Sequence, residues 1–415
     1  MFIEKLTVSE YEDITCEIEL LICDYVTENI VQYYLDEFND YLNEDITDYM
    51  IKNGIMEGWC DQYDKDELYH FIEYMSQNIL KEMQIPDRQS PSCYINKQTK
   101  TEIESSIQHI YSFPYEQQRT AAWYNTRHSL FSASNLWKLF STPAQLNSLI
   151  YEKCKDIDIN ININNHYDIL NTNARNWGIR YEPLSVMIYE HKNNTKVETD
   201  FGCIKHGMYP IGASPDGINT DNNSEKYGTM VEIKNIVNRE ITGIPKFEYW
   251  IQMQIQMETC NLNLCDFIET RFKEYESQEE YENDKDTLYK GIILVWIPKD
   301  FSNETSFYDY MPLDTSDYLQ WISNKQYNND KHILEKTIYW KLDEYSCIEV
   351  ERNMFWFDSI KPIIQENWKV VLQERENGCE HRAPKKRVPK KPSCELLLNE
   401  NIVSLVKLDE NGNTI

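Results

Sequence analysis

The sequence predicts an α/β protein in which a mixed central sheet is flanked by helices, behind an α-helical N-terminal unit. Three observations predict it. Leu20, Ile22, Tyr25, Ile30, Tyr33, Leu35 and Phe38 recur at three- and four-residue steps, the spacing of helix faces. Residues 229–234 alternate apolar and polar side chains as a half-buried strand does, and 290–297 form an apolar run of strand length. Helical patterns over 174–190 and 247–260 flank the first of these strands.

A chain of 415 residues is expected to hold two units and a tail. The first, residues 1–100, is acidic and helical, and its charges read either as solvated helix faces or as a surface for a partner. Pro86, Asp87, Ser90, Pro91, Ser92, Asn96 and Lys97 punctuate the chain and mark its end. The second unit covers 101–376, interrupted by an Asn-rich insert at 156–165 and an acidic loop at 274–286. In the tail, 377–415, Arg382, Lys385, Lys386, Arg387, Lys390 and Lys391 are spaced by prolines, which excludes a helix there. That stretch reads as a solvated linker, a nuclear-import signal or an arm on a phosphate backbone.

Hydrophobic residues at 41% and aromatics at 13% exclude the disordered class. A net charge of -28 argues against a protein coated in nucleic acid, but only the groove beside a cation-holding pocket needs to be positive. Eleven Cys without a C-x-x-C pair or a Cys/His cluster exclude a disulfide framework and a structural zinc site. The N-terminus lacks a signal segment, and no apolar run reaches the roughly 18 residues of a membrane helix, so an intracellular protein without a membrane partner is expected.

The chemistry concentrates in the second unit. Residues 208–218 run into Ser214-Pro215-Asp216-Gly217, turn chemistry that by itself predicts a hairpin. The strand after it carries Glu232 and Lys234 on one face and Val231 and Ile233 on the other. Two carboxylates and an ammonium on one sheet face suit phosphodiester hydrolysis. Carboxylates are hard ligands for Mg²⁺ or Mn²⁺, which polarises a phosphate and lowers the pKa of a water, while Lys orients that water or offsets developing charge. The flanking helices offer Glu182 upstream and Tyr249, Gln252, Met253 and Gln256 on one face downstream. Earlier still, Arg127 and a Ser132-Ala133-Ser134 turn, expected to cap a helix starting near Asn135, supply a guanidinium and hydroxyls suited to a phosphate.

In order, Q-R-T-x-x-W-Y-x-x-R with S-A-S, W-G-I-R-Y-E-P, G-A-S-P-D-G, V-E-I-K and Y-W-I-Q-M-Q-I-Q-M resemble the YqaJ-type viral recombinase family, relatives of phage lambda exonuclease, over roughly residues 117–262. The resemblance implies a PD-(D/E)XK nuclease core and a Mg²⁺-dependent 5′→3′ exonuclease acting on linear duplex DNA. It implies that Glu182, Asp216 and Glu232 hold the metal, that Lys234 assists the attacking water, and that Gln252 completes the centre. It implies that Arg127, Ser134 and Ser214 bind a terminal 5′-phosphate. A ring-shaped homotrimer, a recombination or annealing partner, and a place in viral replication in host cytoplasm, viral factory, nucleus or virion are implied as well. The sequence departs from the family's pattern at Ser132, where Thr is usual, and at Asn235-Ile236, where Cys-Pro often follows E-x-K. The competing readings are an endonuclease of the same fold and a DNA-end-binding protein without turnover.

Overall fold

A computed structural model describes residues 6–29, 32–35, 37–83, 98–113, 120–156, 169, 173–299, 305–327 and 329–383. The Asn-rich insert beyond Asp156 and the basic tail beyond Ala383 lie outside the described residues.

Three helices open the chain: α1 (Val8–Glu28), α2 (Phe38–Glu57) and α3 (Lys65–Glu82). Thr7 starts α1 with a reciprocal cap, its hydroxyl accepting from the Glu10 N–H while the Glu10 carboxylate accepts from the Thr7 N–H. Gly58, at φ 82°, stops α2 in a conformation that costs a side-chain-bearing residue energy. Ile14, Ile18, Ile22 and Val26 bury one stripe of α1 against Leu42, Ile46 and Met50 of α2 and Leu68 and Ile72 of α3. The helical pattern expected through Phe38 breaks at residue 29. Leu20 faces solvent at 61% exposure, and Tyr34 sits in the connection, where its ring stacks on Trp250 at 4.1 Å and its hydroxyl meets the Asn353 amide.

The rest of the chain is a mixed α/β unit, the class the sequence predicts. In order come α4 (Lys100–Tyr111), α5 (Ala121–His128), β1 (Phe131–Ser132), α6 (Ala133–Leu136), α7 (Pro143–Cys154) and α8 (Ala174–Asn193). Then follow β2 (Val197–Glu198), β3 (Ile204–Lys205), β4 (Ile211–Ala213), β5 (Gly217–Asn219), β6 (Met230–Asn235) and α9 (Phe247–Cys260). The last elements are β7 (Leu264–Glu274), α10 (Gln278–Asn283), β8 (Lys290–Pro298), β9 (Phe307–Tyr310), α11 (Tyr318–Tyr327), β10 (His332–Glu351) and α12 (Met354–Asn377).

The main sheet has the order β2-β5-β6-β7-β10-β8-β9, with β6 and β7 parallel and the other pairs antiparallel. A parallel neighbour needs a crossover, and α9 supplies it. A smaller sheet runs β1-β4-β3, with β1 and β4 parallel. The run at 290–297 is the buried strand β8, as expected. Two expectations are corrected. The acidic stretch after Glu274 is not a plain loop, because Ser277 caps the short helix α10 inside it. Nor is Ser214-Pro215-Asp216-Gly217 a hairpin turn: β4 belongs to the small sheet and β5 to the large one, so this segment is the passage between them.

Candidate active site

Because it precedes β5, Asp216 stands at the open end of the β5–β6 pair, where the Ile233 N–H donates to its Oδ2 at 2.8 Å. Glu232, fully buried on β6, has both oxygens engaged. Oε1 accepts from the Lys234 ammonium and Oε2 from Gln256 Nε2 at 2.7 Å. Burial, then the charges of Glu232 and Glu182, push the Asp216 carboxyl well above its usual range against the pull of Lys234. The structure thus brings Asp216, Glu232, Glu182 and Lys234 into one electrostatic neighbourhood. Burial works against the Lys234 charge, but Glu232 and Asp216 outweigh it and raise its pKa, while the Tyr249 ring lies 5.0 Å from the ammonium.

Helix α8 brings Glu182 to this point. It starts at Ala174, capped by Asn173, and Glu182 lies mid-helix. Pro183 removes the N–H that would bond to the preceding turn, loosening the helix beside the carboxylate. Two sets of bonds fix its position. Arg180, 2% exposed, pairs with Glu274 at 2.9 Å, and the Tyr181 hydroxyl donates to the same carboxylate at 2.9 Å. On the other side, Asn235 Oδ1 accepts from the Ser185 and Thr270 hydroxyls, each at 2.7 Å, while Nδ2 donates to the Gly178 carbonyl at 3.0 Å. Asn235, where the family often has Cys, therefore ties α8 to β6 and β7.

Of the second group of expected residues the structure brings Arg127 and Ser134 into contact, while Ser214 lies on the neighbouring segment of the small sheet. Ser132 pairs with Gly212 in parallel register, and both chains leave the small sheet there, with Ser134 in the first turn of α6 and Ser214 just past β4. Arg127 Nη2 donates to Ser134 Oγ at 3.0 Å, and its guanidinium lies 4.6 Å from the Trp123 ring. Ser134 does not cap a helix from Asn135. Helix α6 begins at Ala133 with Ser132 as its N-cap, and neither hydroxyl serves the cap, which leaves both near Arg127. The Ser214 hydroxyl is buried without a hydrogen-bond partner. A buried hydroxyl without a partner is an anomaly that a bound ligand would resolve. Lys153, unnoticed in the sequence, is buried against the Arg127 carbonyl at 2.9 Å, and Glu152 balances it and Lys138 at 3.4 and 3.7 Å. Lys138 precedes α7 and Lys153 lies in its last turn, so no helical period links the two.

Whether a divalent cation fits is a matter of donors and of arrangement. Three carboxylates crowd together, and cation binding would relieve the repulsion that raises the Asp216 carboxyl. Among the described residues, however, no three His, Cys, Asp or Glu side chains form a ready cage. The reason is visible at Glu232, whose oxygens face Lys234 and Gln256. In its chemistry the donor set, three carboxylates, suits a hard divalent cation, and Glu232 would need Lys234 to turn away before it could join. Gln252, partly exposed one turn before Gln256, makes no side-chain hydrogen bond among the described residues, so the amide that meets the carboxylate is Gln256.

Comparison with known proteins adds the following. Residues 122–263 match the family model of the YqaJ-like viral recombinase domain. A curated relative, an uncharacterized protein of Acanthamoeba polyphaga mimivirus, is 24% identical over 329 residues, 69% of this chain and 57% of that protein. Similar solved structures include LHK-Exo in complex with dAMP, at 18% identity and TM-score 0.35, and the alkaline exonuclease LHK-Exo from Laribacter hongkongensis, at 19% and 0.36. Each covers 62% of this chain and 95% of its own. Asp216, Glu232, Glu182 and Lys234 all fall inside the matched segment, and so do Arg127, Ser134 and Ser214: residues 122–263 carry the pattern of a YqaJ-like viral recombinase domain.

Proposed function

We propose that this chain is a Mg²⁺- or Mn²⁺-dependent DNA exonuclease that degrades linear duplex DNA from a 5′-phosphorylated end. The observation that carries the reading is the short link between the two groups of residues. Ser214, a buried hydroxyl without a partner that we assign to the anion pocket, and Asp216, in the carboxylate group, are two residues apart, at most about 7 Å of backbone. A terminal phosphate held by Arg127, Ser134 and Ser214 would lie about one nucleotide step from the carboxylates, which favours release of one nucleotide at a time.

A bound divalent cation would supply Lewis acidity at the scissile phosphate, and Asp216, Glu232 and Glu182 are the side chains that would hold it. Lys234, freed from Glu232, directs its ammonium at the attacking water or at the charge that builds on the phosphate. Gln252 faces the same helix side as Gln256 and is assigned to orient water or phosphate. Hydrolysis leaves a new 5′-phosphate on the shortened strand, which the Arg127 pocket draws forward. Such an activity fits recombination or replication of a DNA virus, with an annealing protein or further copies of the chain as partners. No helix among the described residues is long and apolar enough to cross a membrane.

The test is digestion of linear duplex DNA in Mg²⁺ with 5′-phosphorylated, 5′-hydroxyl and closed circular substrates, and Lys234→Ala as control. Loss of the strand from its 5′-phosphorylated end, absent in the variant and on circles, is expected. Cutting of circles would replace the reading with an endonuclease, and absence of cutting with an end-binding protein.

A further inference from the structure

Gln256 is fully buried on α9, and its Nε2 donates to Glu232 Oε2 at 2.7 Å, while its Oε1 is buried without a partner. The amide orientation follows from chemistry, because the reverse would set a carbonyl oxygen against a carboxylate oxygen. A buried amide half-satisfied beside a carboxylate is costly and calls for a reason. Packing alone gives none, since Met has the same length and would bring no polar atom of its own that lacks a partner. The neighbours on the helix show what an amide kept for structure looks like: Gln254 uses both ends, donating to the Glu351 carbonyl at 2.8 Å and accepting from the Asn353 N–H at 2.6 Å.

We infer that Gln256 is a positioning residue that holds Glu232 Oε2, so that only Oε1, the oxygen now facing Lys234, is presented to a cation. The inference rests on the nuclease reading above. Lys234 and Gln256 divide the carboxylate between them, one oxygen each. Lys234 is a long, partly exposed side chain whose departure would expose Oε1, whereas Gln256 comes from the fully buried face of a helix. The carboxylate therefore cannot rotate to offer both oxygens. A neutral amide suits this post, because a Lys or Arg there would cancel the negative charge that draws the cation. Outer partners that orient a ligand typically change metal affinity or activity about 10–100-fold when lost.

The test compares Gln256→Met with Gln256→Ala, because the two separate positioning from packing. Met fills the space and excludes water, leaving Oε2 without a donor. Ala opens room for a water that can donate in place of the amide. For each variant, Mg²⁺ binding is measured by titration calorimetry and folding by thermal denaturation. Positioning is expected to give the larger loss of Mg²⁺ affinity in the Met variant, about tenfold or more, and the larger fall in melting temperature in the Ala variant. In a Glu232→Gln background, the Met substitution is expected to add no further loss of affinity. Equal Mg²⁺ affinity in the wild type and the folded Met variant, or a loss that tracks melting temperature, would overturn the assignment and leave the nuclease reading standing. A wild-type chain that binds no divalent cation would remove both.

Discussion

Replacing Asn235 by Ala removes one side chain from the junction of α8, β6 and β7, and the size of the effect follows from its partners. Asn235 makes three hydrogen bonds, to the Ser185 and Thr270 hydroxyls and the Gly178 carbonyl. The two hydroxyls lie 2.9 Å apart, and Ser185 Oγ is also 3.3 Å from the Tyr181 carbonyl, so both can find another acceptor. The Gly178 carbonyl loses this donor outright. At about 1 kcal/mol per hydrogen bond, with part recovered and a small cavity added, the substitution costs about 2–3 kcal/mol. For a unit of this size that lowers the melting temperature by about 4–6 °C, at roughly 2 °C per kcal/mol. The assay is thermal unfolding followed by tryptophan fluorescence, paired with single-turnover DNA cleavage. Because the junction sets Glu182 against Glu232, the cleavage rate is expected to fall further than DNA affinity. A melting temperature within about 1 °C of wild type would refute the claim that these bonds hold the helix.

Arg127→Ala removes a charged donor whose hydrogen bonds are worth about 1.5–3 kcal/mol, so a preference for 5′-phosphorylated over 5′-hydroxyl ends should fall about 10–100-fold in a competition digest. Gly212→Ala sets a Cβ 2.9 Å from the Ile204 carbonyl and 2.8 Å from Leu130 Cδ2. The backbone oxygen cannot yield cheaply, and a loss of about 1–3 kcal/mol is expected by denaturant titration. For Glu258, burial raises the carboxyl, but His206 and Arg352 outweigh it and hold it below its ordinary 4.5. A depressed carboxyl stabilises the fold above that value and loses its contribution as pH falls through the folded-state pKa. Stability of the wild type should therefore drop more steeply than that of Glu258→Gln as pH falls below about 4.5, a difference that parallel urea titrations would read. Burial pushes the Cys260 thiol up to about 12, so iodoacetamide at neutral pH should label exposed Cys16 and spare Cys260.

Why the sequence was legible in some places follows from the range of the interactions. The Glu-x-Lys alternation on β6 is set by the two-residue strand period, so one face could be assigned before any partner was known. Tyr181, Leu184 and Ile188 sit at helical steps and are buried as that spacing requires. Strand β10 escaped notice because its 20 residues, His332–Glu351, mix buried and exposed positions and change register twice, which blurs the alternation. The break between α1 and α2 escaped for the opposite reason: the apolar spacing continues through residues 29–37, while the stack of Tyr34 on Trp250 comes from far along the chain.

The acidic total was the weakest guide to the site. Residues 1–83 hold 21 Asp and Glu against 4 Lys, so most of the net charge of -28 lies in the N-terminal helices. The group around Arg127 carries Lys138 and Lys153 as well, with Glu152 among them. The sequence by itself determined which residue types were present and, through the periods of helix and strand, which of them share a face. Only the tertiary structure decided that Gln256 and not Gln252 meets Glu232, that Ser134 faces Arg127 instead of capping a helix, and that Asn235 joins α8 to the sheet. Periodicity fixes a side chain's direction about its own element, but a hydrogen bond is sensitive to fractions of an ångström between elements, and that distance is set by the packing of the whole core.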